Sequence, residues 1–273
     1  LPGSVSPRLR VSGLGKMSVK ISVLASGSRG NSIYVATPKV RLLIDVGLSA
    51  REIERRLGLI GVRAEDVDTV LVTHEHGDHV HGLGPLSRRH GLTVYLNRAT
   101  FENLPDRVGH LADRVEFTTG QAFSIGDLTI HPFSVSHDAS DPVGLTLANG
   151  ESKVGICTDL GKATRLVHHH LRECRLLLLE ANHDAEMLTR GPYSWALKQR
   201  IRSTSGHLSN EEARELFTRV VGETLEQVIL AHLSEVNNRP ERALEAFAQV
   251  GRSGSVRLAV ASQHEPSEII FLP

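Results

Sequence analysis

The chain has few of the residues that mark secreted, membrane or nucleic-acid-coating proteins. Its 273 residues include 2 cysteines, which cannot build a disulfide framework and indicate a reducing compartment. No apolar run of the sequence approaches the roughly 18 residues that a membrane-spanning helix needs. Basic and acidic residues balance at 31 each, so no global attraction to a polyanion is expected. An apolar content of 40% excludes disorder as a description of the whole chain.

The first sixteen residues differ in composition from the rest of the chain. They are rich in Gly, Ser and Pro, carry basic residues and contain no acidic residue. They also lack the apolar central stretch of a secretory signal. We therefore expect residues 1–16 to form a flexible leader or an expression remnant, with an ordered arm as the alternative, and residues 17–273 to form the folded domain.

Short β-rich runs alternate with helical patterns along that domain. Strands are predicted over residues 19–25, 32–36, 40–45, 69–73, 93–96, 115–118, 128–136, 144–148, 153–158, 175–180, 227–231 and 256–261. Helices are predicted over residues 49–57, 162–171, 193–202, 210–221 and 239–250. Two series of strands, each accompanied by helices, favour a layered α/β sandwich over a barrel. Since no linker divides the pattern, a single domain is expected.

Histidine is the abundant residue type, with 15 copies, and its placement is informative. Residues 73–79 read THEHGDH. His74 and His76, two apart at the end of a predicted strand, should point to the same side, because strand side chains alternate. Asp78 and His79 fall in the following turn, which can direct them to the same point. These four groups supply parts of two metal coordination spheres but close neither, so further ligands are expected.

Three more metal-competent side chains follow predicted strands by one residue. They are His137, Asp159 and His232, and loops placed in this way converge at one edge of a sheet. Any one of these histidines alone is more readily a structural residue. Without a metal, however, four polar groups buried in one turn would cost several kcal/mol, so the clustered pattern favours a metal pair.

This arrangement resembles the signature of the metallo-β-lactamase-fold hydrolases, H-x-H-x-D-H followed by His, Asp and His on successive loops. The resemblance extends from about Val19 to the C-terminus and includes LIDVG at residues 43–47. It implies a four-layer αββα sandwich with two divalent ions. The implied roles are one ion held by His74, His76 and His137, a second held by Asp78, His79 and His232, Asp159 as the bridge, and Asp45 as the residue that orients a metal-bound histidine.

Residues 205–212, SGHLSNEE, favour a phosphodiester substrate. Ser209 and Glu212 have the spacing of a capping box, so a helix should start there with free backbone N–H groups able to meet a phosphate. His207, just before it, could protonate a leaving alkoxide. The segment resembles the Gly-His-Ser element of tRNA 3′-processing phosphodiesterases. Residues 187–210 also contain no acidic residue, and the basic residues in this stretch serve either as an electrostatic guide or as a solvated helix face: Arg190, Lys198, Arg200 and Arg202.

Several polar residues near these motifs are candidate substrate contacts. They are Ser26, Ser28 and Asn31 in the Gly/Ser-rich loop, together with His183, Ser209, Asn210 and Asn237. For His183 the alternative is a histidine that anchors its own loop. For Asn237 the alternative is helix capping.

Six segments together narrow the family further. ASGSRGN (25–31), SHDA (136–139), TDLG (158–161), EANHD (180–184), GHLSN (206–210) and AHLSEVNN (231–238) resemble the bacterial WalJ/YycJ (VicX) group. The resemblance implies a cytoplasmic 5′-to-3′ DNA exonuclease linked with DNA repair, with zinc or manganese at the site. A hydroxide held between the two ions would be the nucleophile, with Asp78 and His207 as catalytic residues. The expected partner is nucleic acid, DNA rather than RNA, and no membrane.

Other functions fit the sequence less well. A tRNA-processing endonuclease generally carries a long arm, and the 22 positions from His137 to Asp159 leave no room for one there. A glyoxalase-like thioesterase or a β-lactamase would share the metals, but residues 138–144, DASDPVG, do not resemble their third-ligand loops. A non-enzymatic binding protein is expected to have lost ligands, whereas all seven are present.

Overall fold

The computed structural model describes residues 19–150, 152–248 and 256–273. The predicted leader and the first two residues of the predicted domain lie outside the described residues. So do residues 249 and 250, at the end of the last predicted helix. Within the described part of the chain, no helix is both long enough and apolar enough to cross a bilayer.

Two seven-stranded sheets form the centre of the molecule. The first contains β1 (Val19–Ala25), β2 (Ser32–Ala36), β3 (Arg41–Ile44), β4 (Thr69–Leu71), β5 (Thr93–Asn97), β6 (Asp113–Phe117) and β14 (Ile270–Leu272), in the order β14-β1-β2-β3-β4-β5-β6. The second contains β7 (Phe123–Ile125), β8 (Leu128–Ser134), β9 (Val143–Asn149), β10 (Ser152–Cys157), β11 (Leu176–Glu180), β12 (Gln227–Ala231) and β13 (Arg257–Val260), in the order β13-β12-β11-β10-β9-β8-β7. Each sheet is antiparallel in one half and parallel in the other, with parallel pairing from β3 to β6 and from β10 to β13.

Helices cover the outer face of each sheet. They are α1 (Ala50–Leu59), α2 (Gly77–Val80), α3 (Leu83–His90), α4 (Arg98–Glu102), α5 (Arg165–Leu171), α6 (Ala185–Arg190), α7 (Trp195–Ile201), α8 (Asn210–Val220) and α9 (Pro240–Phe247). Ile53 of α1 and Leu86 of α3 pack in the apolar cluster outside the first sheet, and Leu216 of α8 and Phe247 of α9 pack outside the second. A third cluster, between the sheets, joins residues of both. The four layers confirm the predicted αββα sandwich.

Local signals fixed the starts of two helices. Ser49 caps α1 by accepting a hydrogen bond from Glu52 N, and Ser209 and Glu212 form the predicted capping box at the start of α8. The helical stretch predicted from residue 193 begins at Trp195, after the capping residue Ser194. The prediction missed the two edge strands β7 and β14, which are three residues each, and its helix ranges do not include α2, α3, α4 or α6.

The ends of the strands that lead into the site differ from the prediction. β4 ends at Leu71, so His74 and His76 lie in a loop and strand alternation is not what aligns them. β8 ends at Ser134 and β10 at Cys157, whereas His137 and Asp159 were predicted to follow their strands directly. The backbone leaves the ladder early because these loops turn toward the site.

Candidate metal centre

Loops from both sheets bring the seven predicted ligands to one edge of the sandwich. In the described residues they form overlapping groups whose ligand atoms lie within 4.8 Å of one another. One group is His74, His76 and His137, another is Asp78, His79 and His232, and Asp159 lies with His74 and His79 in a third. We call these seven side chains the metal cluster.

The three histidines of the first group face one another. His76 Nδ1 lies 3.3 Å from His137 Nε2. The ring of His74 lies 4.7 Å from that of His76 and 5.2 Å from that of His137, measured between centroids. Three ring nitrogens from two separate loops therefore share one small volume.

Asp159 lies between the two groups. Its Oδ2 is 3.2 Å from His79 Nε2, and its Oδ1 is 3.5 Å from His232 Nε2 and 3.9 Å from His137 Nε2. Asp78 Oδ2 completes the second group, 3.5 Å from His79 Nε2 and 3.6 Å from His232 Nε2. A carboxylate that reaches both groups has the position of a bridging ligand.

Several ligand atoms of the cluster have no hydrogen-bond partner in the described part of the chain, and divalent ions would satisfy them. His74 Nε2, Asp159 Oδ2 and His232 Nε2 are buried and have no hydrogen-bond partner among the described residues. Leaving such atoms unpaired costs roughly 1–3 kcal/mol each. Two ligands of one zinc ion, each about 2.0–2.2 Å from it, lie at most about 4.4 Å apart. The distances between individual ligand atoms given above, from 3.2 Å to 3.9 Å, satisfy that limit. The residues present therefore fit a pair of ions held by nitrogen and oxygen ligands.

The backbone of the site is held in an unusual conformation. Asp45, Asp159 and His232 have φ angles of 60°, 58° and 56°, a left-handed region that is uncommon for residues other than glycine. Such conformations cost of order 1–3 kcal/mol each and persist where the surroundings enforce them. Each of these turns directs a side chain of the site away from the course of its strand.

Asp45 has the orienting position that the family resemblance implied. Its Oδ2 accepts a hydrogen bond from His79 Nδ1 at 2.8 Å and another from the Thr73 hydroxyl at 2.8 Å. Its Oδ1 accepts from Thr73 N at 2.8 Å. Although burial opposes the charged imidazole, the carboxylates of Asp159 and Asp45 hold the pKa of His79 well above its usual value.

Glu180 is a central residue of the site. The sequence interpretation placed it at the end of a strand and in the EANHD segment but gave its side chain no role. It is fully buried at the end of β11. Its Oε1 accepts hydrogen bonds from His207 Nδ1 at 2.7 Å and from His232 Nδ1 at 3.0 Å, and its Oε2 accepts from Leu160 N. Burial favours the neutral acid, but His207 and His232 hold the pKa of Glu180 at about 2. The sequence contains one indication of this role, because a carboxylate directly follows a run of four leucines, Leu176 to Leu179.

His207 lies at the rim of the metal cluster, before helix α8. Its ring is 5.1 Å from that of His232 and 5.2 Å from that of His137, centroid to centroid. Burial opposes protonation, yet the charge and hydrogen bond of Glu180 raise the pKa of His207. Because Nδ1 is bound to Glu180, Nε2 is the ring nitrogen left to act on another molecule.

Six of the seven predicted substrate contacts are buried instead of lining an open surface: Ser26, Asn31, His183, Ser209, Asn210 and Asn237. The Ser26 hydroxyl accepts a hydrogen bond from His232 N, and Asn31 Nδ2 lies 3.2 Å from Asp78 Oδ2. The Asn210 amide pairs with that of Asn238 through two hydrogen bonds. Asn237 is 0% exposed. Ser26 and Asn31 thus support metal-cluster residues, and the structure does not bring Asn210 or Asn237 to the site surface.

The other three predicted contacts are Ser28, His183 and Ser209, and of these only Ser28 is exposed. Ser28 is exposed and lines a cavity beside His207. His183 is buried, and its backbone forms a bridge with that of Ser209, the N-cap of α8. Burial is the main cause that lowers the pKa of His183 to about 4. Its Nδ1 is buried and has no hydrogen-bond partner among the described residues, so the loop is held here by the backbone bridge and not through that ring nitrogen.

The basic stretch of residues 187–210 is not a free cationic surface. Arg190 pairs with Glu186, and Arg200 pairs with Asp138 at 2.5 Å. Lys198 Nζ donates to the carbonyl oxygens of Thr189 and Gly191. An acid-free stretch of sequence thus finds acidic partners in space, and an electrostatic guide is a weaker interpretation than the sequence suggested.

Comparison with known proteins agrees with this geometry. A family model described as a beta-lactamase superfamily domain matches residues 40–233. The exodeoxyribonuclease WalJ of Streptococcus pneumoniae serotype 2 (strain D39 / NCTC 7466) is 39% identical over 234 residues, which cover 84% of this chain and 87% of that protein. The exodeoxyribonuclease YycJ of Bacillus anthracis is 37% identical over 236 residues, covering 86% and 89%.

A solved structure shows the same fold at lower sequence identity. It is the metallo-beta-lactamase fold protein YhfI from Bacillus subtilis, which superposes with a TM-score of 0.73 at 18% identity. The match covers 92% of this chain and 99% of that one.

Proposed function

The chain belongs to the β-lactamase superfamily and, within it, to the WalJ/YycJ group of metal-dependent hydrolases, and from that premise we propose that it is a DNA exonuclease. The relatives at 37–39% identity carry the name exodeoxyribonuclease and match most of this chain. The observation that carries the proposal is the hydrogen-bonded pair of His207 and Glu180 beside the metal cluster. A 5′-to-3′ direction, a role in DNA repair and a cytoplasmic location are parts of the same proposal.

Two divalent ions, zinc or manganese, are the proposed cofactors. His74, His76 and His137 would hold one, Asp78, His79 and His232 the other, and Asp159 would contact both. When bound, such a pair activates water and polarises the phosphodiester bond that is attacked. Asp45 and Glu180 fix the rings of His79 and His232 through Nδ1, which would leave Nε2 of each ring free to bind an ion.

His207 is the proposed proton donor to the leaving alkoxide. Its Nδ1 donates to Glu180 Oε1, and the negative charge of that carboxylate favours the doubly protonated ring. The proton on Nε2 is then available to the oxygen that leaves when the P–O bond breaks. An alkoxide needs such a donor, since it is a much poorer leaving group than a thiolate. This requirement favours a phosphodiester over a thioester.

A single experiment separates the reaction classes. The protein is incubated with Mn²⁺ or Zn²⁺ and 5′-end-labelled single- and double-stranded DNA, with RNA, a thioester and a β-lactam in parallel. The proposal predicts metal-dependent release of labelled mononucleotides from DNA. Two results without DNA cleavage would contradict it. One is internal cleavage of RNA, which is the alternative activity, and the other is turnover of the thioester.

A further inference from the structure

A cavity of about 190 Å³ lies between His207 and helix α7. His207 and the buried Asn182 form its inner wall, and Tyr193, Leu197 and Ile201 form its outer wall. Pockets that enclose a whole drug-sized ligand measure roughly 300–1,000 Å³. This cavity therefore has room for one small ring system beside the reacting bond, and not for a continuing stretch of nucleic acid.

The outer wall has the chemistry that a nucleobase needs. Tyr193 is a half-buried aromatic ring, and Leu197 and Ile201 lie four residues apart, on the same face of α7. An aromatic ring beside aliphatic side chains offers an apolar wall of the kind on which a base can stack. Stacking accepts every base, since each has a π-face. The wall thus suits a nuclease that does not select sequence.

A fixed cation stands at the rim of the cavity. Arg200 lines it, and its guanidinium binds Asp138 Oδ2 through Nε at 2.7 Å and through a terminal nitrogen. Asp138 follows His137 of the metal cluster, so this ion pair ties α7 to the loop that carries a predicted ligand. The Arg200 side chain stays 62% exposed, which leaves guanidinium donors for a phosphate oxygen.

Resting on the proposed function, we infer that this cavity binds the base of the terminal nucleotide of the DNA strand. Tyr193 stacks on the base, Arg200 contacts the backbone at the rim, and the first phosphodiester lies between the metal cluster and His207. The base must leave the duplex stack to enter, so an unpaired end is the better substrate. One base fills the cavity, which accounts for the release of one nucleotide at a time.

The test compares how efficiently the metal-loaded protein cleaves two single-stranded 5′-phosphorylated oligonucleotides. One has a normal terminal nucleotide, and the other has an abasic residue at that end. Because a stacked base contributes a factor of roughly 5 to 150, the wild-type protein should cleave the normal end by about that factor more efficiently in kcat/KM. Tyr193→Ala should abolish this preference, and Tyr193→Phe should restore it.

Trp195→Ala is the matched control. Trp195 is an aromatic residue two positions after Tyr193, at the start of α7; it is 66% exposed and does not line the cavity. This variant should keep the preference for the normal end. Equal cleavage of both ends by the wild-type protein, or a preference unchanged in Tyr193→Ala, would overturn the inference while leaving the exonuclease intact. A wild-type protein that cleaves neither DNA would contradict the proposed function itself.

Discussion

His79 and His232 flank Asp159, and each donates a hydrogen bond from Nδ1 to a buried carboxylate. On one side the carboxylate is Asp45, at 2.8 Å, and on the other it is Glu180, at 3.0 Å. The Asp45 carboxylate accepts its other hydrogen bonds from Thr73. The Oε1 atom of Glu180 is shared between His232 and His207.

The two carboxylates therefore have different roles. We call Asp45 and His79 the Asp45 side of the site, and Glu180, His232 and His207 the Glu180 side. The Asp45 side positions a predicted ligand and makes no contact with the proposed proton donor in the described part of the chain. The Glu180 side positions a ligand and also sets the charge of His207. We therefore expect substitutions on the Asp45 side to change metal affinity alone, and those on the Glu180 side to change metal affinity and proton transfer together.

The largest effect is expected from a residue that contacts both sides. Asp159→Asn removes the carboxylate charge that faces His79 and His232. Nuclease activity should fall by at least about 1,000-fold, because the stabilisation supplied by bound ions is worth several kcal/mol. Activity assays with metal analysis check this. A variant that keeps full activity with fewer bound ions would contradict a bridging role.

His207→Ala should separate chemistry from metal binding. It removes the proposed proton donor but none of the seven predicted ligands. Turnover on DNA should fall by roughly 100- to 10,000-fold, with metal content close to that of the wild-type protein. If the substitution strips the metals instead, His207 is a ligand and its assigned role is wrong.

Asp45→Asn and Glu180→Gln form a matched pair on the two sides. Each replaces the partner of one histidine Nδ1 by a neutral amide of similar shape. Metal affinity, measured by competition with a chelator, should fall by roughly 10- to 100-fold in both. A normal affinity in Glu180→Gln would show that only the Asp45 side orients a ligand.

The same pair should differ in its pH profile, and this is the smallest effect expected. Glu180 raises the pKa of His207, so activity that needs the protonated ring persists to higher pH and is lost as pH rises through that pKa. Glu180→Gln should therefore move the alkaline limb of kcat to lower pH. Asp45→Asn should leave it in place, because Asp45 has no hydrogen bond with His207. Equal shifts in both variants would remove the distinction between the two sides.

The metal cluster could be predicted from the sequence because most of its residues lie in a recognisable motif or at the end of a predicted strand. His74 to His79 form one short motif, and His137, Asp159 and His232 each follow a predicted strand by one residue. Asp45 was found through LIDVG. The errors in the predicted strand ends did not change the set of predicted ligands, since that set rested on the residue types and their order and not on strand geometry.

Residues defined only by packing could not be found in that way. Glu180 closes an apolar strand, and its partners His207 and His232 are distant in sequence, so its role depends on the parallel register of β11 and β12. Asn210 follows a capping serine, a position that suits a phosphate contact, yet its amide turns inward to Asn238. Nothing in the local sequence distinguishes the two directions.

Metal content of the wild-type protein tests the central claim most directly. The protein is saturated with Zn²⁺ or Mn²⁺, dialysed, and analysed by inductively coupled plasma mass spectrometry. Two ions per chain are expected in the wild-type protein, and fewer in Asp159→Asn, which replaces the charged carboxylate between the two groups by a neutral amide. A wild-type chain that cleaves DNA while holding no ion after saturation would contradict the account.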